Sequence, residues 1–175
     1  MYAPFRALLP AAALLLMASC GGRQAETVHA MGTPVVVGDF SYTVYHTEWR
    51  DELQTDAGPR KPQHRFLLVT VSVTNSSPED ATAPLLTLIG KDGKESLELD
   101  KGDGVAQWLG LLRRVRSTQT ETGTLLFDVP PGDYTLRVSS GGDVEQERTA
   151  LVSLPYREEA PGGRPSVEPQ MPPAQ

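Results

Sequence analysis

Residues 65–75 read RFLLVTVSVTN, and the fold follows from their alternation. Leu67, Val69, Val71 and Val73 fall on one face of an extended chain, while Thr70, Ser72 and Thr74 fall on the other. Successive side chains of a strand point to opposite faces, so period two with many β-branched residues marks a half-buried strand. Along the second face the residues change from Phe66 and Leu68 to hydroxyls, which predicts a strand covered on that face only at its start.

Working outward, PVVVGDFSYTVYHTEW (34–49) gives one or two strands around Gly38-Asp39. LLTLIGKDGKESLEL (85–99) gives two short strands joined at Asp92-Gly93, a dipeptide suited to a type I′ turn because both central residues take φ > 0. In GTLLFDVPPGDYTLRVSS (123–140), Leu125, Phe127 and Val129 alternate, Pro130 to Asp133 turn, and Tyr134, Leu136 and Val138 alternate again. TALVSLP (149–155) closes the body. About seven to nine short strands, turn signals between them and no amphipathic helix predict an all-β chain, an antiparallel β-sandwich over 34–156.

Gly132-Asp133-Tyr134-Thr135-Leu136 has the layout of the tyrosine corner of immunoglobulin-like sandwiches, where a tyrosine near the start of a late strand bonds back to the preceding turn. Leu136 then stands where such domains carry the second disulfide cysteine, with Val69 or Val71 as its counterpart across the core. The alternative is an inward aromatic on a plain hairpin. The early strand pair, the LLVTVSVTN strand, the Asp-Gly hairpin and GTLLFDVPPGDYTLRV together resemble the domain of unknown function 4352, which has a telokin-like immunoglobulin fold. The resemblance covers about residues 35–154. It implies a sandwich of seven to nine strands and display outside the cytoplasm, as in bacterial and archaeal surface lipoproteins. Its motifs are strand, turn and corner positions, so it implies no reaction.

The only cysteine, Cys20, follows the apolar run Ala7 to Ala18, which is too short to span about 30 Å of hydrocarbon as a helix. With Arg6 ahead of it, the run has the layout of an export signal. Leu16-Met17-Ala18-Ser19-Cys20 resembles the lipobox of bacterial lipoproteins, which implies lipidation of Cys20, cleavage after residue 19 and a membrane anchor. The alternative is a plain secretory signal. Gly21 rather than Asp after that cysteine favours the outer membrane or cell surface, by analogy with lipoprotein sorting. Residues 20–33 read as a flexible tether and 157–175, rich in proline, as a disordered tail.

The net charge is −6, and loss of Arg6 with the signal makes it −7. An acidic chain without a broad basic face argues against nucleic-acid binding. One cysteine excludes an internal disulfide. His46 and His64 invite a metal site with Glu48 or Asp51, against a plain reading as solvated strand-end histidines. ELDKGDGVAQ (98–107) lacks the carboxylate spacing of a calcium loop and reads as a turn. No G-x-S-x-G elbow is present, and Asn75-Ser76-Ser77 fits a glycosylation sequon. The expectation is no cofactor, no bound metal and no catalysis.

Two loops draw attention. Trp49 to His64 is long for a connection in a compact domain. VAQWLGLLRRVR (105–116) sets Trp108, Leu109, Leu111 and Leu112 against Arg113, Arg114 and Arg116. With Trp49, these form a candidate patch for a protein or glycan partner, since Trp and Arg are favoured at binding hot spots. The other reading is a crossing segment that plugs the core, its arginines solvated or ion-paired. The function expected is a lipid-anchored extracytoplasmic domain for binding or structural display, with a small envelope enzyme or a metal carrier as alternatives.

Overall fold

In the computed structural model, residues 27–143 and 145–157 are described. The signal segment, Cys20 and the tail from 158 lie outside them. Strand β1 (Val28–His29) precedes β2 (Val35–Val37) and β3 (Phe40–Arg50). A short hairpin follows, β4 (Leu53–Thr55) and β5 (Gly58–Arg60), then β6 (Arg65–Asn75) with the bounds read from its pattern. Next come β7 (Ala81–Ala83), β8 (Thr87–Gly90), β9 (Glu95–Leu97) and β10 (Arg113–Val115). The chain closes with β11 (Thr120–Val129), β12 (Tyr134–Ser139) and β13 (Thr149–Leu154).

Nine of these strands make two layers. The first sheet has the order β1-β13-β12-β8-β9 and the second β11-β6-β3-β2, while β7–β10 and β4–β5 form two-stranded ribbons. The short strands at β1, β4, β5, β7 and β10 carry no legible alternation, being two or three residues each. The pairing is antiparallel except for β1, which runs parallel to β13 and bonds Val28 opposite Leu151. The first described strand therefore starts at Val28, inside the segment 20–33 expected as a tether. Met31 packs on the core, and Gly32 donates its N–H to the Val44 carbonyl at 2.7 Å.

Between the layers lies one apolar core built from alternate residues: Tyr42 and Val44 of β3, Leu67 to Val73 of β6, Leu125 and Phe127 of β11, Leu136 and Val138 of β12. β3 keeps its inward face through a bulge. Val44 pairs with Val71 and His46 with Thr70, so Tyr45 is the extra residue. The bulge shifts the parity, which moves the inward set from Phe40, Tyr42 and Val44 to Trp49. Trp49 is buried with its ring 5.5 Å from Tyr156, edge-on, and 6.3 Å from Tyr134.

The start of β6 is covered on its second face, as its residues predict. Phe66 and Leu126 pack with Leu53 of the β4–β5 hairpin and with Leu68, Leu99 and Val105. The segment 49–64 is thus a hairpin lid and not a long loop. At the β8–β9 turn, only Gly93 has positive φ (78°). Gly90 accepts from Gly93 and donates to the Lys94 carbonyl, both at 2.9 Å. This is a three-residue loop of the bulged kind and not type I′. The tyrosine corner is present, the Tyr134 hydroxyl donating to the Pro130 carbonyl at 2.7 Å.

Candidate functional site

The segment 105–116 is positioned by the open edge of β11. Leu109 donates to the Thr124 carbonyl at 3.1 Å, and Thr124 donates to the Gln107 carbonyl at 2.8 Å, so the segment continues the second sheet for one bridge. Two glycines make room for it. A Cβ on Gly102 would lie 2.0 Å from Trp108 Cδ2, and one on Gly123 2.5 Å from the Gln107 carbonyl oxygen. Leu109 turns into the core, whereas Trp108 is half-buried on the other side, against Gly102.

The candidate patch is therefore dispersed. Trp49 is a core residue, because the bulge at Tyr45 points it inward. Arg113 is buried beside Glu98, and Arg114 pairs with Asp80 at 3.1 Å. Leu111 is half-buried, and Leu112 is the one strongly exposed apolar member, at 90%.

Arg113 holds the most elaborate polar centre of the described residues. Its Nη2 donates to Glu98 Oε2, its Nε to the Gly110 carbonyl at 2.8 Å and its Nη1 to the Pro84 carbonyl at 3.2 Å. Glu98 Oε1 accepts the Leu86 N–H at 2.6 Å. Burial pushes the Glu98 carboxyl above its ordinary range, against the opposing pull of Arg113 and the Leu86 N–H. Burial also raises Tyr42, whose hydroxyl donates to the Ser139 carbonyl at 2.7 Å. These groups fasten the ends of β9 and β10 and the N–H before β8; the centre is structural.

Several clefts open on the surface of the described residues, two of them lined by residues singled out in the sequence. One, of about 590 Å³, lies between the β4–β5 hairpin and Asp103-Gly104. The other, of about 360 Å³, lies between the β8–β9 turn and the 130–133 turn. There His64 Nδ1 is 3.6 Å from Asp128 Oδ1, and Asp128 accepts the N–H groups of Gln63 and His64 at 2.6 and 2.8 Å. Lys91 Nζ lies 2.6 Å from Asp133, whose carboxyl is held below its ordinary range by that ammonium and by the Tyr156 N–H.

The histidines do not meet. His46 is opposite Thr70 and His64 directly precedes β6, so six residues of strand, about 20 Å, separate them. Among the described residues no three His, Cys, Asp or Glu converge as metal ligands. Asn75 is buried, and its amide donates to the carbonyls of Glu79 and Val115, which removes it as a glycosylation acceptor.

The sequence profile described as "Domain of unknown function (DUF4352)" matches residues 29–148. Among solved structures, the yjhA protein of Bacillus subtilis is 17% identical with a TM-score of 0.56, covering 72% of this chain and 99% of that one. A candidate lipoprotein (ycdA) of Bacillus subtilis is also 17% identical, TM-score 0.55, with 73% of this chain and 39% of that chain covered. A functionally unknown protein from Listeria monocytogenes is 11% identical, TM-score 0.52, over 74% and 85% of the two chains. At such identities the likeness is one of fold. No curated protein matches the chain.

Proposed function

The chain belongs to the DUF4352 family of domains of unknown function, and on that footing we propose that it is a lipid-anchored extracytoplasmic module that works by binding or display and not by catalysis. The observation that carries the reading is the position of Cys20, placed after a short apolar run and eight residues ahead of the first strand. A diacylated thiol with further acylation inserts enough CH₂ groups, at about 0.8 kcal/mol each, for durable attachment. The candidate lipoprotein among the structural neighbours supports the same reading.

The geometry of β1 suits it. Val28 enters beside Leu151 and runs toward Val152, so the chain reaches the sandwich from the pole where Ser139 pairs with Thr149. The opposite pole carries the β8–β9 turn and the 130–133 turn. An anchor at Cys20 lies within about 29 Å of Val28, which enters at the first pole. The non-catalytic part of the reading is supported by the raised groups, since Glu98, Tyr42 and Tyr134 are all spent on internal bonds.

The test is fractionation of cells expressing the full chain or its Cys20→Ala variant. The intact protein is expected in the membrane fraction after a high-salt wash and the variant in the soluble fraction. A variant that stays with the membrane refutes the anchor.

A further inference from the structure

The outer face of the second sheet is divided in two. Toward Arg65 it is apolar and covered by the β4–β5 lid. Toward Asn75 no described strand covers it, although Ser72 is buried beneath the Tyr45 ring, and three strands in register place hydroxyls side by side. Ser41 is opposite Thr74 and Thr74 opposite Thr120; Thr43 is opposite Ser72 and Ser72 opposite Thr122. A third rank joins His46 to Thr70 and Thr70 to Thr124. Eight of the nine positions are Ser or Thr and the ninth, at the corner, is His46; none is Lys, Arg, Asp or Glu in a chain where 22% of residues are. Water-facing surfaces of small domains are ordinarily about 25–35% Lys, Arg, Glu and Asp. Neighbours within a rank lie about 4.8 Å apart and successive ranks about 6.7 Å, a field of roughly 10 by 14 Å.

Aromatic rings border this field on two sides. The bulge in β3 sets Tyr45 outward, 56% exposed, with its hydroxyl 3.1 Å from Ser72 Oγ, so the ring lies along the array and shields Ser72. At the other border the bridge from Thr124 brings in Trp108, which faces away from the core that its neighbour Leu109 enters.

A hydroxyl both donates and accepts, so this lattice complements a ligand whose own groups do both. An anion or cation finds no opposite charge among the eight hydroxyl residues; Thr74 and Thr120 bond each other at 2.8 Å and Ser72 bonds Tyr45, and an apolar partner would leave their remaining hydrogen-bonding capacity and the other hydroxyls unmet. An uncharged sugar polymer satisfies them, and the C–H faces of its rings suit aromatic platforms. We propose that this face binds a neutral polysaccharide lying flat across β3, β6 and β11, with Tyr45 and Trp108 as stacking platforms. The straight ranks of hydroxyls along extended strands favour an extended β-1,4-linked chain over a coiled α-linked one. The assignment deepens the binding reading above and rests on it, but does not depend on the anchor.

The test is co-sedimentation of the full chain with washed chitin, cellulose and starch. Retention is expected on chitin or cellulose and not on starch. It should persist from about 0.1 to about 1 M salt, although the Debye length falls from about 10 to about 3 Å. Tyr45→Ala and Thr122→Lys are expected to weaken retention at least about tenfold, a loss of about 1.4 kcal/mol each, with unchanged melting curves. Leu112→Lys, away from the face, should bind like the parent. The proposal is overturned by absence of retention on both β-linked polymers, by retention that salt abolishes, or by folded Tyr45→Ala and Thr122→Lys proteins that bind normally. Failure here leaves the anchor to its own fractionation test.

Discussion

Thr118 holds its backbone at φ 58°, in the left-handed region where a β-branched side chain is rare. The turn between β10 and β11 imposes this. Gln119 donates to the Arg116 carbonyl at 3.0 Å, while Ser117 is tied on both sides, its N–H to Asp80 and its hydroxyl to the Ser77 carbonyl. The left-handed conformation costs an L-residue about 1–2 kcal/mol, against the smaller entropic penalty of glycine. Thr118→Gly is therefore expected to stabilise the protein by about 1 kcal/mol, read as a higher urea midpoint at unchanged slope. A lower midpoint would mean the threonine side chain makes a compensating contact. Trp108 shows what single residues conceal. Its place depends on Gly102 and Gly123, two glycines that a sequence presents as ordinary turn or strand residues and whose missing Cβ atoms leave room for the indole and its neighbour.

At the scale of elements, the long strands and the short hairpin strands β2, β8 and β9 were legible, while β1 and the ribbons β4–β5 and β7–β10 were not. β6, β8, β12 and β13 follow from alternation, since each buries one face against the other layer. The lid β4–β5 was read as a loop because its Leu53 packs on the outer cluster through tertiary contact alone. The displacement of Trp49 has the same kind of cause: one bulged residue reverses the face, and nothing local in YTVYHTEW announces it. Arg113 was grouped with surface arginines, yet it bridges β9, β10 and the chain before β8. Arg113→Met leaves Glu98 buried without its cation and should cost about 3–5 kcal/mol at neutral pH. Adding Glu98→Gln removes the stranded charge, keeps an acceptor for the Leu86 N–H, and turns amide donors toward the carbonyls that Arg113 served. The double variant is expected to recover most of the loss in a denaturant-based double-mutant cycle. Simple additivity of the two substitutions would show that the pair is not coupled.

For the whole molecule, the charged groups set a stability profile with two arms. Asp80, Glu95 and Asp133 are held below their ordinary values, chiefly by the Ser117 N–H, by Arg137 and by Lys91 respectively. Each contributes stability above its unfolded value of 3.8 to 4.5, which is lost as pH falls through the lower folded value. Glu98 has the opposite sign. Its folded value is raised by burial, so its contribution is full below 4.5 and is lost as pH rises through the raised value. Acidification from neutral pH also lessens the self-repulsion of a chain at −6. Stability should therefore rise from neutral pH toward the carboxylate range and fall below it. Self-repulsion and Glu98 are separated by Arg113→Met, which removes the cation that lowers Glu98 and so raises it further. In urea melts from pH 3 to 8, the variant is expected to lose stability more steeply than the parent as pH rises, although its net charge is more negative by only one. Adding Glu98→Gln should flatten that limb, because no titrating group remains at the pair. Parallel parent and Arg113→Met profiles above pH 4.5 would place the acid-side gain in overall charge and not in Glu98.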